Sequence, residues 1–332
     1  MKTLVTDSLE KAVELLSKGE LVAIPTETVY GLAADALNEN AVKKIFAAKG
    51  RPGDNPLIVH ISEIEEIIPL VKNFPLMAQK IAQKFWPGPL TMILKKSDLI
   101  PEIVTAGLDS IAIRLPSMPL TRELIKKFGH PLAAPSANLS GRPSPTSYRH
   151  VLDDLDGKIA AILKSEDCSV GVESTVIDLT STPVHLLRPG KITAEEISDF
   201  IGEKVIIDKS VDHFVSDLRE IRSPGVKYKH YSPRTKVVLV KSSPKKFADF
   251  VNSNPDCVAV AFDEDSKYIN TEFVSYGSES SQNDQLRLLF DSLRKIDSFN
   301  KKIAYVRLAP NLNLAVFNRL LRASAFNVID DL

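Results

Sequence analysis

Lys49 and Arg51 stand on either side of Gly50 and are followed by the turn-rich run Pro52-Gly53-Asp54-Asn55-Pro56. A lysine in the last turn of a helix ordinarily complements the helix dipole, and an arginine just beyond it ordinarily stays solvated. Here Asn55 is flanked by turn residues that fix its direction, which favours phosphate contacts for Arg51 and Asn55. Arg114 lies inside Ile111-Ala112-Ile113-Arg114-Leu115, where an unpaired guanidinium would be very costly. Its planar fork needs an acidic partner or a ligand carboxylate, and the sequence leaves both open. Ser136, Asn138, Ser140 and Ser144 are displayed by Pro135, Gly141, Pro143 and Pro145. Such a stiff loop of neutral hydrogen-bonding groups suits the phosphate and ribose oxygens of ATP, with a plain surface turn as the alternative. Thr26, Glu27, Thr28 and Tyr30 directly follow an apolar run, where α/β folds place ligands, although turn chemistry uses the same residues.

The elements that must hold these groups are legible in the apolar spacing. Asp7 to Gly19 reads as a helix: Asp7 can cap it, Leu9, Val13 and Leu16 repeat at helical spacing, and Gly19 ends it. Asn40 to Lys49 is a second helix stopped by Gly50, and Leu120 to Phe128 a third. Strands are predicted at Leu21–Ile24, Leu57–Ile61, Leu90–Leu94, Ile111–Leu115, Ala160–Leu163, Val176–Leu179 and Val184–Leu187. Their irregular alternation with helices predicts an α/β fold built on a twisted mixed sheet. Beyond the aliphatic-poor, cation-rich stretch 210–234, strands at Lys236–Val240, Cys257–Phe262, Glu272–Tyr276 and Ile303–Val306 alternate with helices at Pro244–Val251, Ser281–Arg294 and Leu314–Ala325. That pattern predicts a smaller Rossmann-like α/β domain.

Composition narrows the classes. With 332 residues, a prior of about 150 per domain predicts two domains. The 42 basic and 42 acidic side chains balance, so no global charge draws the chain to nucleic acid or to an anionic membrane. Two cysteines, Cys168 and Cys257, exclude a disulfide framework and a zinc cluster. No segment approaches the ~20 apolar residues of a membrane span and the start lacks an apolar signal core, so a cytoplasmic protein is expected. The sequence holds no Gly-x-Gly, no Gly-x-x-x-x-Gly-Lys, no His-Glu-x-x-His and no Gly-x-Ser-x-Gly. Dinucleotide, P-loop, zincin and serine-hydrolase signatures are therefore absent.

Taken in order, Pro25-Thr26-Glu27-Thr28-Val29-Tyr30-Gly31-Leu32, Lys49-Gly50-Arg51-Pro52-Gly53-Asp54-Asn55-Pro56, Phe85-Trp86-Pro87-Gly88-Pro89-Leu90-Thr91, Ile111-Ala112-Ile113-Arg114-Leu115-Pro116 and the Pro135 to Pro145 loop resemble the YrdC/Sua5 family of threonylcarbamoyl-AMP synthases. A later run, Ser223-Pro224-Gly225-Val226-Lys227-Tyr228-Lys229-His230-Tyr231-Ser232-Pro233, resembles the linker of its long, two-domain form. The resemblance implies a YrdC-like catalytic domain over 1–209, a linker or lid over 210–234 and a Sua5-type C-terminal domain over 235–332. It implies a nucleotidyltransferase: the threonine amine takes up bicarbonate or CO2, and the carbamate attacks the α-phosphorus of ATP to give threonylcarbamoyl-AMP and pyrophosphate. Mg²⁺ would come with ATP. Lys49 and Arg51 would be catalytic. ATP would be bound by Arg51, Asn55, Ser110, Ser136, Asn138, Ser144, Arg188 and Tyr231, and threonine by Thr28, His60, Arg114, Ala134 and Ser174. The product would feed t6A formation by a separate tRNA threonylcarbamoyl transferase machinery.

The linker is expected to act as a lid, because a passive tether has no need of Tyr228, His230 and Tyr231 beside Lys227 and Lys229. His230 and Tyr231 would be its contact residues. Two rivals stand beside the synthase: a non-catalytic RNA-binding module with weak tRNA affinity, which zero net charge disfavours, and a hydrogenase-maturation carbamoyltransferase, whose paired-cysteine zinc motifs are missing.

Overall fold

The structure, a computed structural model, describes residues 2–211, 231–330 and 332. The expectations for Lys227, Tyr228, Lys229 and His230 fall outside the described residues. The chain divides into two units, one of Met1–Ser140, Pro145–Ser169 and Glu173–Lys227, the other of Gly141–Ser144, Val170–Val172 and Tyr228–Leu332.

The first unit is built on an 11-stranded sheet: β1 (Leu4–Thr6), β2 (Val22–Ile24), β3 (Gly31–Asp35), β4 (Ile58–His60), β5 (Leu90–Lys95), β6 (Ser110–Arg114), β7 (Leu132–Ala133), β8 (Ala161–Leu163), β9 (Thr175–Asp178), β10 (His185–Arg188) and β11 (Ile206–Ile207). They lie in the order β1-β8-β2-β3-β7-β4-β6-β5-β9-β10-β11. Parallel pairs such as β4 with β6 alternate with antiparallel pairs such as β5 with β6, so the sheet is mixed as expected. Among the described residues seven α-helices accompany it: α1 (Leu9–Ser17), α2 (Glu39–Lys49), α3 (Leu76–Phe85), α4 (Glu102–Thr105), α5 (Pro119–Phe128), α6 (Tyr148–Leu155) and α7 (Ala194–Ile201).

Local chemistry explains the two helices that matter most. Ser8, not Asp7, caps α1 by accepting from the backbone N–H of Lys11 at 3.1 Å. Starting there places Leu9 at the first helical position on the buried face with Ala12 and Leu16. Asn38 caps α2, and Gly50 closes it in the left-handed region at φ 60°, which turns the chain away immediately after Lys49.

Strand alternation sorts the central residues onto two faces. Val59, Met92, Ile113 and Ile177 enter the large core with Val42 and Ile45 of α2 and Ile81 of α3. Their neighbours Ile58, Ile93, Ala112 and Val176 form a small apolar cluster with Leu187 on the other face. His60, Thr91 and Arg114 share that second face by the same period.

In the second unit, β12 (Lys236–Lys241), β13 (Cys257–Ala261), β14 (Glu272–Ser275), β15 (Ile303–Leu308) and β16 (Val328–Asp330) form a sheet in the order β14-β13-β15-β12-β16, every pair parallel. Helices α8 (Pro244–Asn252), α9 (Gln282–Lys295) and α10 (Leu314–Ala323) alternate with the strands. The parallel α/β character matches the expectation, but the last full-length strand, β15, inserts between β12 and β13 instead of extending the sheet. No described helix is long and apolar enough to cross a membrane.

Candidate active site

The chain leaves β2 into a turn organised by Thr26. Its hydroxyl donates to the Val29 carbonyl at 2.6 Å and accepts from the backbone N–H groups of Thr28 and Val29 at 3.1 and 3.2 Å. With the Thr26 proton so committed, the 2.8 Å contact between the two threonine hydroxyls is donated by Thr28. The Thr28 oxygen in turn accepts from Arg114 Nη1 at 2.7 Å. Arg114 Nε donates to the Gly88 carbonyl at 3.3 Å, and Nη2 stands 2.7 Å from Glu27 Oε1. Both members of this ion pair are buried. The sequence left Arg114 to choose between an acidic partner and a ligand, and Glu27 is the acidic partner. Tyr30, fully buried, anchors the end of the turn through its hydroxyl, which donates to the Ser165 carbonyl at 3.2 Å and accepts from Ser165 N–H at 3.1 Å.

His60 pairs with Arg114 across β4 and β6. Burial first, and the Arg114 charge second, pull its pKa from 6.5 down to about 3, so the ring is neutral at physiological pH. Farther along the same face, Ser174 Oγ lies 2.7 Å from Thr91 Oγ1. Arg188 clamps Ser174 from the other side, with Nε donating to its carbonyl and Nη2 to its hydroxyl, each at 3.0 Å. Gly190 permits this approach: a Cβ there would come within 2.4 Å of the Thr175 nitrogen.

Lys49, at the end of α2, is buried and donates from Nζ to the carbonyls of Ser136 and Asn138, the latter at 2.7 Å. Burial, reinforced by the Arg51 charge, holds its pKa well below the usual lysine value, and the negative charges of Asp154 and Glu173 act in the opposite sense. Arg51 Nη2 reaches the carbonyls of Asn55 and Pro56 at 3.2 and 3.3 Å, which folds the Pro52–Pro56 turn around it. Asn55 is buried, and its Oδ1 takes no hydrogen bond from the described residues. The 135–138 loop that Lys49 holds (hereafter the Lys49 loop) and the Thr26 turn run side by side: Ala137 N–H donates to the Tyr30 carbonyl at 2.8 Å and Leu32 N–H to the Pro135 carbonyl at 2.7 Å.

The first unit therefore assembles Thr28, Arg114, His60, Ser174 and Arg188 along one sheet face, and Lys49, Arg51, Asn55, Ser136 and Asn138 around the end of α2. Ala134 joins them as a backbone donor to Ile58 at 3.0 Å, its methyl lying where a Cβ on Gly31 would stand 3.1 Å away. Ser110 sits on the Arg114 face but at the opposite end of β6, paired with Lys95 and about 13 Å of strand away. Ser144 and Tyr231 fall in the second unit, where the buried Tyr231, at φ 61°, stacks 5.2 Å from Phe290 with Arg319 5.6 Å over its ring. Sequence reasoning gave no role to Thr91, Asp154 or Glu173, and singled out Glu27 only as one of the turn residues after β2, without its pairing to Arg114. Thr91 was findable, because the β5 alternation sets it on the Arg114 face. The pairing of Glu27 spans 87 residues and had no local sign.

The Sua5/YciO/YrdC family model, described as telomere recombination, matches residues 14–190, and the model of the threonylcarbamoyl-AMP synthase C-terminal domain matches residues 192–325. A threonylcarbamoyl-AMP synthase of Pyrococcus abyssi is 42% identical over 96% of this chain and 94% of its own length. One of Bacillus subtilis is 41% identical over 98% of this chain and 97% of its own. The crystal structure of P. abyssi Sua5 complexed with L-threonine superposes with a TM-score of 0.90 at 39% identity, covering 100% of this chain and 99% of that one. With one family model spanning more than half its length and full-length relatives above 40% identity, the chain belongs to the Sua5/YciO/YrdC family, in the form that carries the synthase C-terminal domain.

Proposed function

We infer that this chain is an L-threonylcarbamoyladenylate synthase, a nucleotidyltransferase acting on L-threonine, bicarbonate or CO2, and ATP. The threonine ammonium first gives up a proton to solvent. The free amine nitrogen then bonds to the carbon of CO2, which bicarbonate supplies by taking up a proton and losing water, and a second proton leaves to solvent to give a carbamate. A carbamate oxygen then attacks the α-phosphorus of ATP, the bond to pyrophosphate breaks, and threonylcarbamoyl-AMP and pyrophosphate leave. The nucleophile is made from substrate, which fits a site that holds cations and hydroxyls without an activated protein nucleophile. Full-length relatives bearing the synthase name favour this reading over a non-catalytic RNA-binding module.

The observation that carries it is the buried Arg114 beside Thr28, on the same surface as the Lys49 loop. A guanidinium fork reads a planar carboxylate, so Arg114 takes the threonine carboxylate, with Thr28, His60, Ala134 and Ser174 shaping the rest of that half. Arg51 and Asn55, presented by the turn after α2, take phosphate oxygens, with Ser136 and Asn138 alongside. Lys49 deepens this half: the negative charge of a triphosphate favours its protonated form and offsets the burial that opposes it. Arg188 holds Ser174 at the seam between the two halves. Proximity of this kind is worth on the order of 7–11 kcal/mol of barrier, and a single preorganised donor about 3–4 kcal/mol. Magnesium would enter with the nucleotide, as MgATP, and would supply charge neutralisation on the phosphates that Arg51, Asn55 and Lys49 receive. The labile mixed anhydride passes to a transferase that modifies tRNA, and a cytoplasmic site of action fits that hand-over.

Pyrophosphate release tests this directly. We expect release from MgATP only when L-threonine and bicarbonate are both supplied. Release that ignores either co-substrate would refute the reading.

A further inference from the structure

We propose that Glu27 is the acceptor for the α-ammonium of the substrate amino acid, so that Glu27 and Arg114 together form a template for a zwitterion. The proposal rests on the reading of this face as the threonine half of the site. Arg114 is committed at two of its three nitrogens, Nε to the Gly88 carbonyl and Nη1 to Thr28. Nη2 touches Glu27 at 2.7 Å, yet the contact is not aligned as a hydrogen bond. Among the described residues, neither Glu27 oxygen accepts a hydrogen bond and Nη2 donates none. Glu27 is 5% exposed and Arg114 4%, so water does little to satisfy either. The pair thus keeps acceptor capacity on one partner and donor capacity on the other, side by side and out of solvent.

An α-amino acid carries its two charges on one carbon. Whatever receives its carboxylate must therefore stand next to whatever receives its ammonium, with the opposite sign. Arg114 and Glu27 meet that requirement in contact with each other. Asp154 and Glu173, the other buried carboxylates whose charges are felt nearby, act on Lys49 instead. Forming the carbamate first takes a proton from the ammonium and then a second from the nitrogen, both released to solvent, and so removes the positive charge that Glu27 holds. Glu27 accordingly grips the substrate more strongly than the product and orients the nitrogen for its reaction with CO2.

The test is calorimetric binding of L-threonine and of β-hydroxybutyrate, which keeps the carboxylate and hydroxyl but lacks the ammonium. Wild type should bind threonine at least about ten-fold more tightly than β-hydroxybutyrate. Glu27→Gln, which keeps the shape and removes the charge, should lower threonine affinity at least about ten-fold and leave β-hydroxybutyrate affinity unchanged or higher. If Glu27→Gln binds threonine as well as wild type, or loses both ligands equally, Glu27 only supports Arg114 and the proposal fails. The wild-type comparison stands without any variant: equal affinity for the two ligands sinks the ammonium assignment alone. A wild type that binds no threonine would overturn the synthase reading and this assignment with it.

Discussion

Each unit of this protein buries an arginine against a carboxylate, and the two pairs are finished differently. In the second unit Arg307 Nε donates to Asp265 Oδ2 at 2.6 Å and Nη2 bonds to Glu279. Asp265 also accepts from the Phe262 N–H at 3.1 Å, the Phe262 ring lies 4.6 Å from the guanidinium carbon, and Tyr276 donates to the Arg307 carbonyl at 2.7 Å. Burial opposes the charge on Arg307, but the hydrogen bonds it donates to its two carboxylate partners, together with their charges, outweigh it and raise its pKa. In the first unit Arg114 touches Glu27 without hydrogen-bond alignment. The same residue types serve a hydrogen-bonded knot in one place and an open template in the other. Among the described residues Asp265 Oδ1 also takes no hydrogen bond, so it is the alignment of the arginine–carboxylate contact itself, rather than burial or charge, that separates the structural pair from the functional one.

Breaking the knot should give the largest loss of stability. Arg307→Met strands Asp265, which is 1% exposed, and we expect about 3–5 kcal/mol of destabilisation in denaturant unfolding, because an uncompensated charge stays buried. A loss under about 1 kcal/mol would mean that the knot is not structural. Arg114→Leu should instead be read out in binding. We expect about 2–5 kcal/mol of threonine affinity to disappear, part of it the penalty on Glu27 left alone, while ATP affinity is retained. Unchanged threonine binding in a folded Arg114→Leu protein would make Arg114 a structural residue like Arg307.

His60 sharpens the contrast through pH. Its folded pKa is depressed, so as pH falls below about 6.5 the unfolded chain takes up a proton that the folded chain refuses. Its contribution is intact above that value and is lost progressively toward about pH 3, at up to about 1.4 kcal/mol per pH unit. His60→Gln should flatten acid unfolding across that window, and an unchanged slope would show that the ring is protonated in the fold. The smallest stability effect belongs to Arg51→Ala, within about 0.5 kcal/mol, since this half-buried side chain hydrogen-bonds the carbonyls of Asn55 and Pro56 in a surface turn outside the core. Its effect should appear in ATP affinity, and an Arg51→Ala protein with wild-type nucleotide binding would remove Arg51 from the site.

The loops were legible because proline and glycine punctuate them, and Arg51, Asn55 and Arg114 could be singled out from their settings, whereas the roles of Lys49 and Thr28 came with the family resemblance. The second unit was legible too, since its strands are rich in valine and its helices amphipathic, although β16 escaped notice. Less could be read where tertiary pairing overrides local preference. β3 is Gly31-Leu32-Ala33-Ala34-Asp35, a run with little strand propensity that is extended because β2 and β7 flank it. β7 is two residues long and carries almost no pattern. Glu27 sits between two threonines in what reads as a plain turn, and only the fold brings it to Arg114.

The sharpest test of the contrast keeps both charges and removes both forks. Arg114→Lys and Arg307→Lys would be compared for L-threonine affinity by calorimetry and for melting temperature. An open substrate template predicts that Arg114→Lys loses threonine affinity at least about ten-fold with little change in melting. A hydrogen-bonded knot predicts that Arg307→Lys melts several degrees lower and binds threonine as wild type does. The account is contradicted if Arg307→Lys loses threonine binding while Arg114→Lys keeps it and is merely less stable.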